Sequence, residues 1–365
     1  MASSESFDVI IIGGGPAGAA AAITLTRSGF RTAMIERSNY STLRVGETLP
    51  AAVRNLLIRL DVWENFLADE HIESIAIRSV WGDGKLHEND SIFNPYGSGW
   101  HIDRGLFDRM LARAAETVGC SVFTEARATH ISKDKIFSWQ VDVLQNNDHR
   151  CLNGDFIIDA TGQTSVIPVD LPRTFHVVDH LIGVVCFLAQ TAKPYILIEA
   201  IDSGWWYSAP LPHGRLVAAC MTDAGLLAAS GDSPYDYWQR QLRKAEQTCK
   251  RIESQIIVAR PKTVSAATLI RHPVCGRNWL AVGDSSIAFD PLSGRGVYSA
   301  LQGGTLAAEA IITSSCGNND SFTKYADWLN DQFSKYLQMR SSFYSREQRW
   351  SQSPFWSRRH SLPKR

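Results

Sequence analysis

The first strong pattern in the chain is a run of four apolar residues, Val9–Ile12, with no polar residue between them. Strands buried on one face alternate; a continuous β-branched run predicts a strand covered on both faces, inside a parallel sheet. The stretch "PAGAAAAITLTRSG" then predicts a helix with a face of small residues and a stop at Gly29. "RTAMIER" predicts a second strand ending at Glu36, so the chain opens with a βαβ unit. Leu56, Leu57, Leu60, Trp63 and Leu67 recur at near-helical spacing and predict one helix through "LPAAVRNLLIRLDVWENFL". Strand runs in "IESIAIRSVWG" lead to a turn at "GDGK". A helix follows, capped by Asp103 and closed by Gly119.

From Ser121 to Thr161 short strands alternate with polar turns and end in the buried strand "FIIDATG". Strand after strand fills 175–270, interrupted by one helix, "YDYWQRQLRKAEQT". "NWLAVGD" returns to a buried strand, "GRGVYSALQGGTLAAEAIITS" gives a helix, and a further helix from about Phe322 precedes a tail punctuated by prolines. The pattern divides the chain at 1–174, 175–270, 271–320 and 321–365. The first and third pieces form an α/β, Rossmann-type domain. The second is an inserted antiparallel sheet, which the strands near 74–100 are placed to join. The fourth is a C-terminal helix and a basic, aromatic tail.

Composition narrows the class. Lys+Arg and Asp+Glu are equal at 37, which gives no electrostatic reason to expect nucleic acid. Seven cysteines, widely spaced and with no C-x-x-C pair, argue against a zinc site and for reduced thiols in a cytoplasmic protein. Val9 to Thr26 carries no charge, yet Gly13, Gly14, Gly15 and Pro16 interrupt it, and no basic segment precedes it. Neither a transmembrane span nor a signal peptide fits. The tail is lopsided, with Arg346, Arg349, Arg358, Arg359, Lys364 and Arg365 against Glu347, so peripheral contact with a membrane stays open.

Gly13, Gly15 and Gly18 form G-x-G-x-x-G between a strand and a helix. The first two allow a tight turn and close approach of a pyrophosphate; the third allows helix and strand to pack closely. Pro16 and Ala17 begin the helix, whose free N–H groups favour an anion. Glu36 stands where a carboxylate can hold a ribose hydroxyl, with Arg37 beside it. These features predict a bound adenine dinucleotide.

"IIDATG" and "LAVGDSSIAFDPLSGRG" resemble the distal fingerprints of FAD-dependent hydroxylases with the glutathione-reductase-like fold. The resemblance implies FAD, with Asp284 on the ribityl chain and the "DPLSGRG" turn directing backbone N–H groups at the flavin. It places Ala128, Thr161, Gly162, Gly283, Pro291, Gly294, Gly296 and Val297 against the cofactor. "RVGETLP" and "HIDRGLFDRML" resemble the tryptophan halogenase branch and add Arg44, Glu47 and Arg104. Only one dinucleotide fingerprint is present; either direct reduction by NAD(P)H or a separate flavin reductase fits.

"GWWYSAPLP" is similar to the halogenase motif W-x-W-x-I-P: Trp205 and Pro210 match, while Tyr207 and Ala209 replace Trp and Ile. Halogenases of this fold also need a lysine between flavin and substrate, and Lys85, the nearest upstream candidate, sits in a turn. Over essentially the whole chain, including the ending "YSREQRWSQSPFWSRR", the sequence resembles the LodB-like flavoproteins. That resemblance implies an FAD monooxygenase acting on a tryptophan of a partner, the precursor of a quinoprotein amino-acid oxidase, during cysteine tryptophylquinone formation. Alternatives are a halogenase or hydroxylase of a small aromatic, and a flavin-bound maturation chaperone without catalysis. Glu47 is the candidate proton handler, and Trp206 and Tyr207 the candidate aromatic wall, although one of the two tryptophans is expected in the core. His101 and His213 are expected to be structural or surface residues. Trp350, Phe355, Trp356, Arg358 and Arg359 suit either an interface or a segment folded back on its own domain.

Overall fold

Val9–Ile12 form the C-terminal end of a strand, Ser4–Ile12, with parallel partners on both sides, which is why the run does not alternate. Asp148–Asp159 pairs along one edge and Thr32–Ile35 along the other, so Ile12 stands between Asp159 and Ile35. Trp279–Ala281 and Ser121–Phe123 extend this parallel sheet at its two sides. The computed structural model describes residues 4–91, 94, 96–133, 139–164, 174–252, 256–318 and 320–361.

Helices cover one face of the sheet, and small residues set how closely two of them lie. Pro16–Arg27 packs against Gly296–Ser315. A Cβ on Gly304 would stand 2.0 Å from the carbonyl oxygen of Ala17, and one on Gly18 only 1.9 Å from that of Gly13. No other residue fits at either position.

The second sheet has seven strands, in the order Ile257–Ser265, Leu181–Ala189, Arg215–Asp223, Gly204–Leu211, Tyr195–Ile201, Ala76–Val80, Leu86–Asp90. Ala76–Val80 and Leu86–Asp90 form the hairpin expected at "GDGK" and join this sheet, Ala76–Val80 running parallel to Tyr195–Ile201. Gly99–His101 does not; it pairs with Thr48–Leu49 and Ile72–Ser74 in a small separate sheet. Thr174–Val177 and Leu269–His272 also leave the large sheet and form a fourth sheet with Ile287–Ala288.

Two expected helices are broken. The segment 50–68 forms Val53–Arg59 and Trp63–Ala68, because Asp61 between them adopts a left-handed backbone at φ 51°. "YDYWQRQLRKAEQT" likewise forms Pro234–Leu242 and Glu246–Arg251.

The chain ends in a long helix, Ser321–Tyr344, and a short one, Pro354–His360, folded back on the large sheet. Phe355 and Trp356 are fully buried, and the Trp356 indole donates to the Ile201 carbonyl at 2.8 Å. Arg359, also buried, donates to Asp223 at 2.7 Å and lies over the Phe355 ring. Glu347 accepts the Gly82 N–H at 2.8 Å, which ties the tail to the hairpin. The aromatic ending is therefore core rather than an exposed docking patch; Lys364 and Arg365 lie outside the described residues. Among the described residues no helix is long and apolar enough to cross a membrane.

Because Trp356 fills a fully buried site, Trp356→Ala is expected to lower unfolding free energy by about 3–5 kcal/mol in urea titrations. A loss below about 1 kcal/mol would show that the tail is not docked as described.

Candidate active site

A cavity of about 1240 Å³ runs from the carboxyl ends of the parallel strands to the inner face of the seven-stranded sheet. Drug-sized ligands occupy roughly 300–1000 Å³. The space admits a dinucleotide and leaves room beyond it.

At one end the backbone forms a phosphate cradle. Gly13 has φ 109°, and a Cβ there would stand 2.2 Å from the Ala160 carbonyl oxygen. Gly15 differs: no heavy atom lies within 4 Å of where its Cβ would be, so the missing side chain leaves space that belongs to the cavity. No side chain caps the helix that starts at Pro16, and its N–H groups are free to meet an anion. Gly18 lies beneath this turn rather than on the cavity surface, the close-packing position its place in the motif implied.

Glu36, at the end of the second strand, lines the same end. Its Oε2 accepts the Gly14 N–H at 2.9 Å and its Oε1 accepts the Ser38 N–H at 3.0 Å. Arg44 bridges Glu36 at 3.2 Å and Asp108 at 3.1 Å, and Arg104 grips Asp108 through two bonds of 3.0 Å. Arg104 also donates to the Val45 carbonyl at 2.8 Å, directly beneath Gly46, whose φ is 95°. Two arginines around one buried carboxylate thus fix the loop that carries Glu47.

Across the cavity, Asp290 opens the turn Pro291–Ser293, Gly294 takes φ 60°, and helix Gly296–Ser315 begins with no side-chain cap. Its start is a second cluster of unsatisfied N–H groups aimed at the cavity. Gly283, Asp284 and Val297 also line the cavity, as do Arg37, Ala128, Thr161 and Gly162. Asp284 faces the cavity, which encloses it; that enclosure raises its carboxyl above the ordinary range, and Arg104 opposes the shift. The cradle, the carboxylate at Glu36 and the two helix starts fit FAD: phosphates at Gly15, a ribose at Glu36, and an anionic ring edge near Gly294–Gly296.

Glu47 is 4% exposed, and its Oε1 has no hydrogen-bond partner among the described residues. Burial pushes its carboxyl up to about 7, against its own and Gly46 backbone bonds and the Arg104 charge. Tyr207 faces the same cavity, its hydroxyl 2.6 Å from Thr48 Oγ1, and burial raises its phenol further from ionisation.

The two tryptophans separate. Trp205 lines the cavity and donates its indole N–H to the Tyr344 hydroxyl at 3.0 Å. Trp206 points through the sheet to the other side and packs on Trp238, ring centres 5.2 Å apart at 72°. Successive residues of a strand face opposite sides, so Trp206 and Tyr207 cannot share a wall. The expectation that Trp206 forms part of the site is corrected: Trp205 is the one on the cavity side, and it too is fully buried. Strand alternation, counted from Tyr207, was the signal for it.

His101 is buried in the small three-stranded sheet and lies outside the cavity. His213 lines a separate cleft of about 240 Å³. Lys85 is exposed on the hairpin, away from the cavity. Among the described residues the one lysine lining the cavity is Lys262, an exposed side chain at its rim that donates to the Leu43 carbonyl at 3.3 Å.

Comparison with known proteins agrees with this geometry. Residues 82–364 match the tryptophan halogenase family model, and residues 7–88 match that of the pyridine nucleotide-disulphide oxidoreductases. The FAD-dependent oxidoreductase LodB of Marinomonas mediterranea is 27% identical, covering 98% of both chains. Tryptophan 2-halogenase of Chondromyces crocatus is 23% identical over 98% of this chain and 71% of its own. Among solved structures, the myxobacterial chondrochloren halogenase CndH superposes with TM-score 0.89 at 20% identity, covering 98% of this chain and 86% of its own. The peptidyl tryptophan dihydroxylase QhpG, essential for tryptophylquinone cofactor biogenesis, superposes with TM-score 0.79 at 21% identity, covering 98% and 79%. At these identities the superpositions speak to the fold.

Two outcomes are expected. Gly15→Ala puts a methyl group into open cavity at an ordinary φ of −74°, so the flavin-free protein should melt as the wild type does while its FAD Kd rises about tenfold or more. Unchanged affinity by fluorescence titration would remove the phosphate from this turn. Glu47 binds its proton more tightly when folded than when unfolded. Its contribution to stability is therefore greatest below about pH 4.5 and declines as pH rises through about 7, by about 3 kcal/mol in all. In urea titrations of the flavin-free protein, Glu47→Gln should remove most of that decline; parallel profiles would contradict the assignment.

Proposed function

The chain belongs to the tryptophan halogenase family, and from that premise we propose that it is an FAD-dependent monooxygenase that hydroxylates a tryptophan held in a partner protein. The partner of this reading is the precursor of a quinoprotein amino-acid oxidase, whose tryptophan becomes part of a cysteine tryptophylquinone. The coarser statement, an FAD-dependent oxidoreductase, rests on the family and on the cofactor site. The finer one draws on the similarity to LodB over nearly the full length of both chains and on the shared fold with QhpG.

The observation that carries the choice of oxygen over halogen is the cavity lining. Its interior holds Glu47, Tyr207 and Trp205 and, among the described residues, no lysine other than Lys262 at the rim. Among the described residues, no interior lining residue is a lysine placed to capture oxidised halide between cofactor and substrate, which supports the choice of oxygen.

Bound FAD supplies reducing electrons to O2 when a donor, such as a separate flavin reductase, has reduced it. One oxygen atom enters the indole, a C–H bond becomes C–OH, and the other oxygen leaves as water. The chain's residues handle orientation and protons. Tyr207 gives a flat face against which an indole can lie, with the fully buried Trp205 beside it on the same strand face, and Val185, Val217 and Met221 keep the surrounding surface apolar and dry. Glu47, titrating near neutrality, can hold or accept a proton at its unpartnered Oε1. Exposed lining residues at the mouth, including Ile77, Asn89 and Asp90, leave it open to a side chain presented by a larger molecule.

Co-expression of the partner with this protein should add the mass of oxygen to one partner tryptophan, located by peptide mass spectrometry. Glu47→Gln should lower the rate about 10²-fold or more with FAD still bound. A partner that gains oxygen equally without this chain, or a product that requires bromide or chloride, would sink the proposal.

A further inference from the structure

Three residues of the long C-terminal helix stand four apart: Tyr336, Arg340 and Tyr344. At that spacing they lie one above another on one helix face. All three converge on Asp290. The Tyr336 oxygen accepts the Asp290 N–H at 2.9 Å, the Arg340 guanidinium lies 3.4 Å from Oδ2, and the Tyr344 hydroxyl donates to Oδ2 at 2.6 Å. Every member is buried, Asp290 at 1% exposed and Tyr344 at 0%.

Asp290 divides its oxygens between two tasks. Oδ2 is held by the helix, while Oδ1 accepts the Leu292 N–H at 2.9 Å and so closes the turn whose N–H groups face the cavity. Burying a carboxylate among aromatic rings costs several kcal/mol unless its bonds are satisfied. An apolar residue would serve packing alone, so the charge here is accounted for by the turn it shapes. Tyr344 extends the link, since its oxygen accepts the Trp205 N–H at 3.0 Å.

We propose that Tyr336, Arg340 and Tyr344 are positioning residues for the flavin-facing turn, acting through Asp290, and that Tyr344 joins this turn to the Trp205 wall. The helix at the end of the chain thereby sets the cofactor site at Asp290–Gly296 and the substrate side of the cavity as one rigid unit. This assignment concerns the FAD site and does not depend on which aromatic substrate enters.

The test is titration of the flavin-free protein with FAD, together with the midpoint potential of the bound flavin. Tyr344→Phe removes the hydrogen bond to the Asp290 carboxylate together with the one accepted from Trp205, and should raise Kd about tenfold. The potential should move to more negative values, because a loosened turn stabilises reduced flavin less. Trp356→Phe is the structural control: it removes a comparably buried bond in the same aromatic cluster, with no contact to Asp290. It should lower the melting temperature and leave Kd within about twofold. In an Asp290→Ala background, Tyr344→Phe should add less than about twofold, since its route is gone. The proposal is overturned if Tyr344→Phe changes Kd and potential no more than Trp356→Phe does, or if it costs a further tenfold in the Asp290→Ala background. Should Tyr344→Phe fail to fold, Tyr336→Phe is read against the same control with the same two outcomes.

Discussion

The structure depends on how closely the backbone can crowd at the carboxyl ends of its central strands. The turn at Gly13 presses against the Ala160 carbonyl, Gly18 lies under Gly13, and Gly304 of the later helix touches the backbone of Ala17. Each contact forbids a β-carbon. Together they hold two helices, from opposite ends of the sequence, with their uncapped starts aimed into one cavity. The fields of two helix starts then act on one enclosed volume, which favours the negative charge of a pyrophosphate at one end and of a reduced ring at the other.

Two buried carboxylates beside that cavity are held in fixed arrangements. Asp108 is held between Arg44 and Arg104, and Asp290 between Arg340 and Tyr344. Glu47 differs from them: it is buried, close enough to feel Arg104, and has one oxygen unpartnered among the described residues. A group left unsatisfied inside an otherwise satisfied lining is where proton chemistry is expected.

Much of the cofactor site was legible in the sequence because its signals are local. Val9–Ile12 declare a buried strand, the glycines that follow declare a turn, and Glu36 ends the next strand within one βαβ unit. Most features that were misread or left open depend on distant partners. Whether Trp205 or Trp206 faces the cavity is a matter of which sheet face is covered by helices, and the deciding contact of Trp205 lies 139 residues away at Tyr344. The tail, basic and aromatic as a string, is core once Asp223 neutralises Arg359 and the sheet covers Trp356. The broken helix at Asp61 turned on a single left-handed residue that apolar spacing does not register.

The central claim is that a fold shared with halogenases here delivers oxygen to a tryptophan of another protein. Purified FAD-loaded protein, a flavin-reducing system and the unmodified partner, supplied with isotopically heavy dioxygen in ordinary water, test it most directly. The account predicts heavy oxygen covalently bound to one partner tryptophan, and about a hundredfold less of it when Glu47→Gln replaces the wild type over the same interval. Light oxygen from water at that tryptophan, or an unmodified partner beside a halogenated small aromatic, would contradict it.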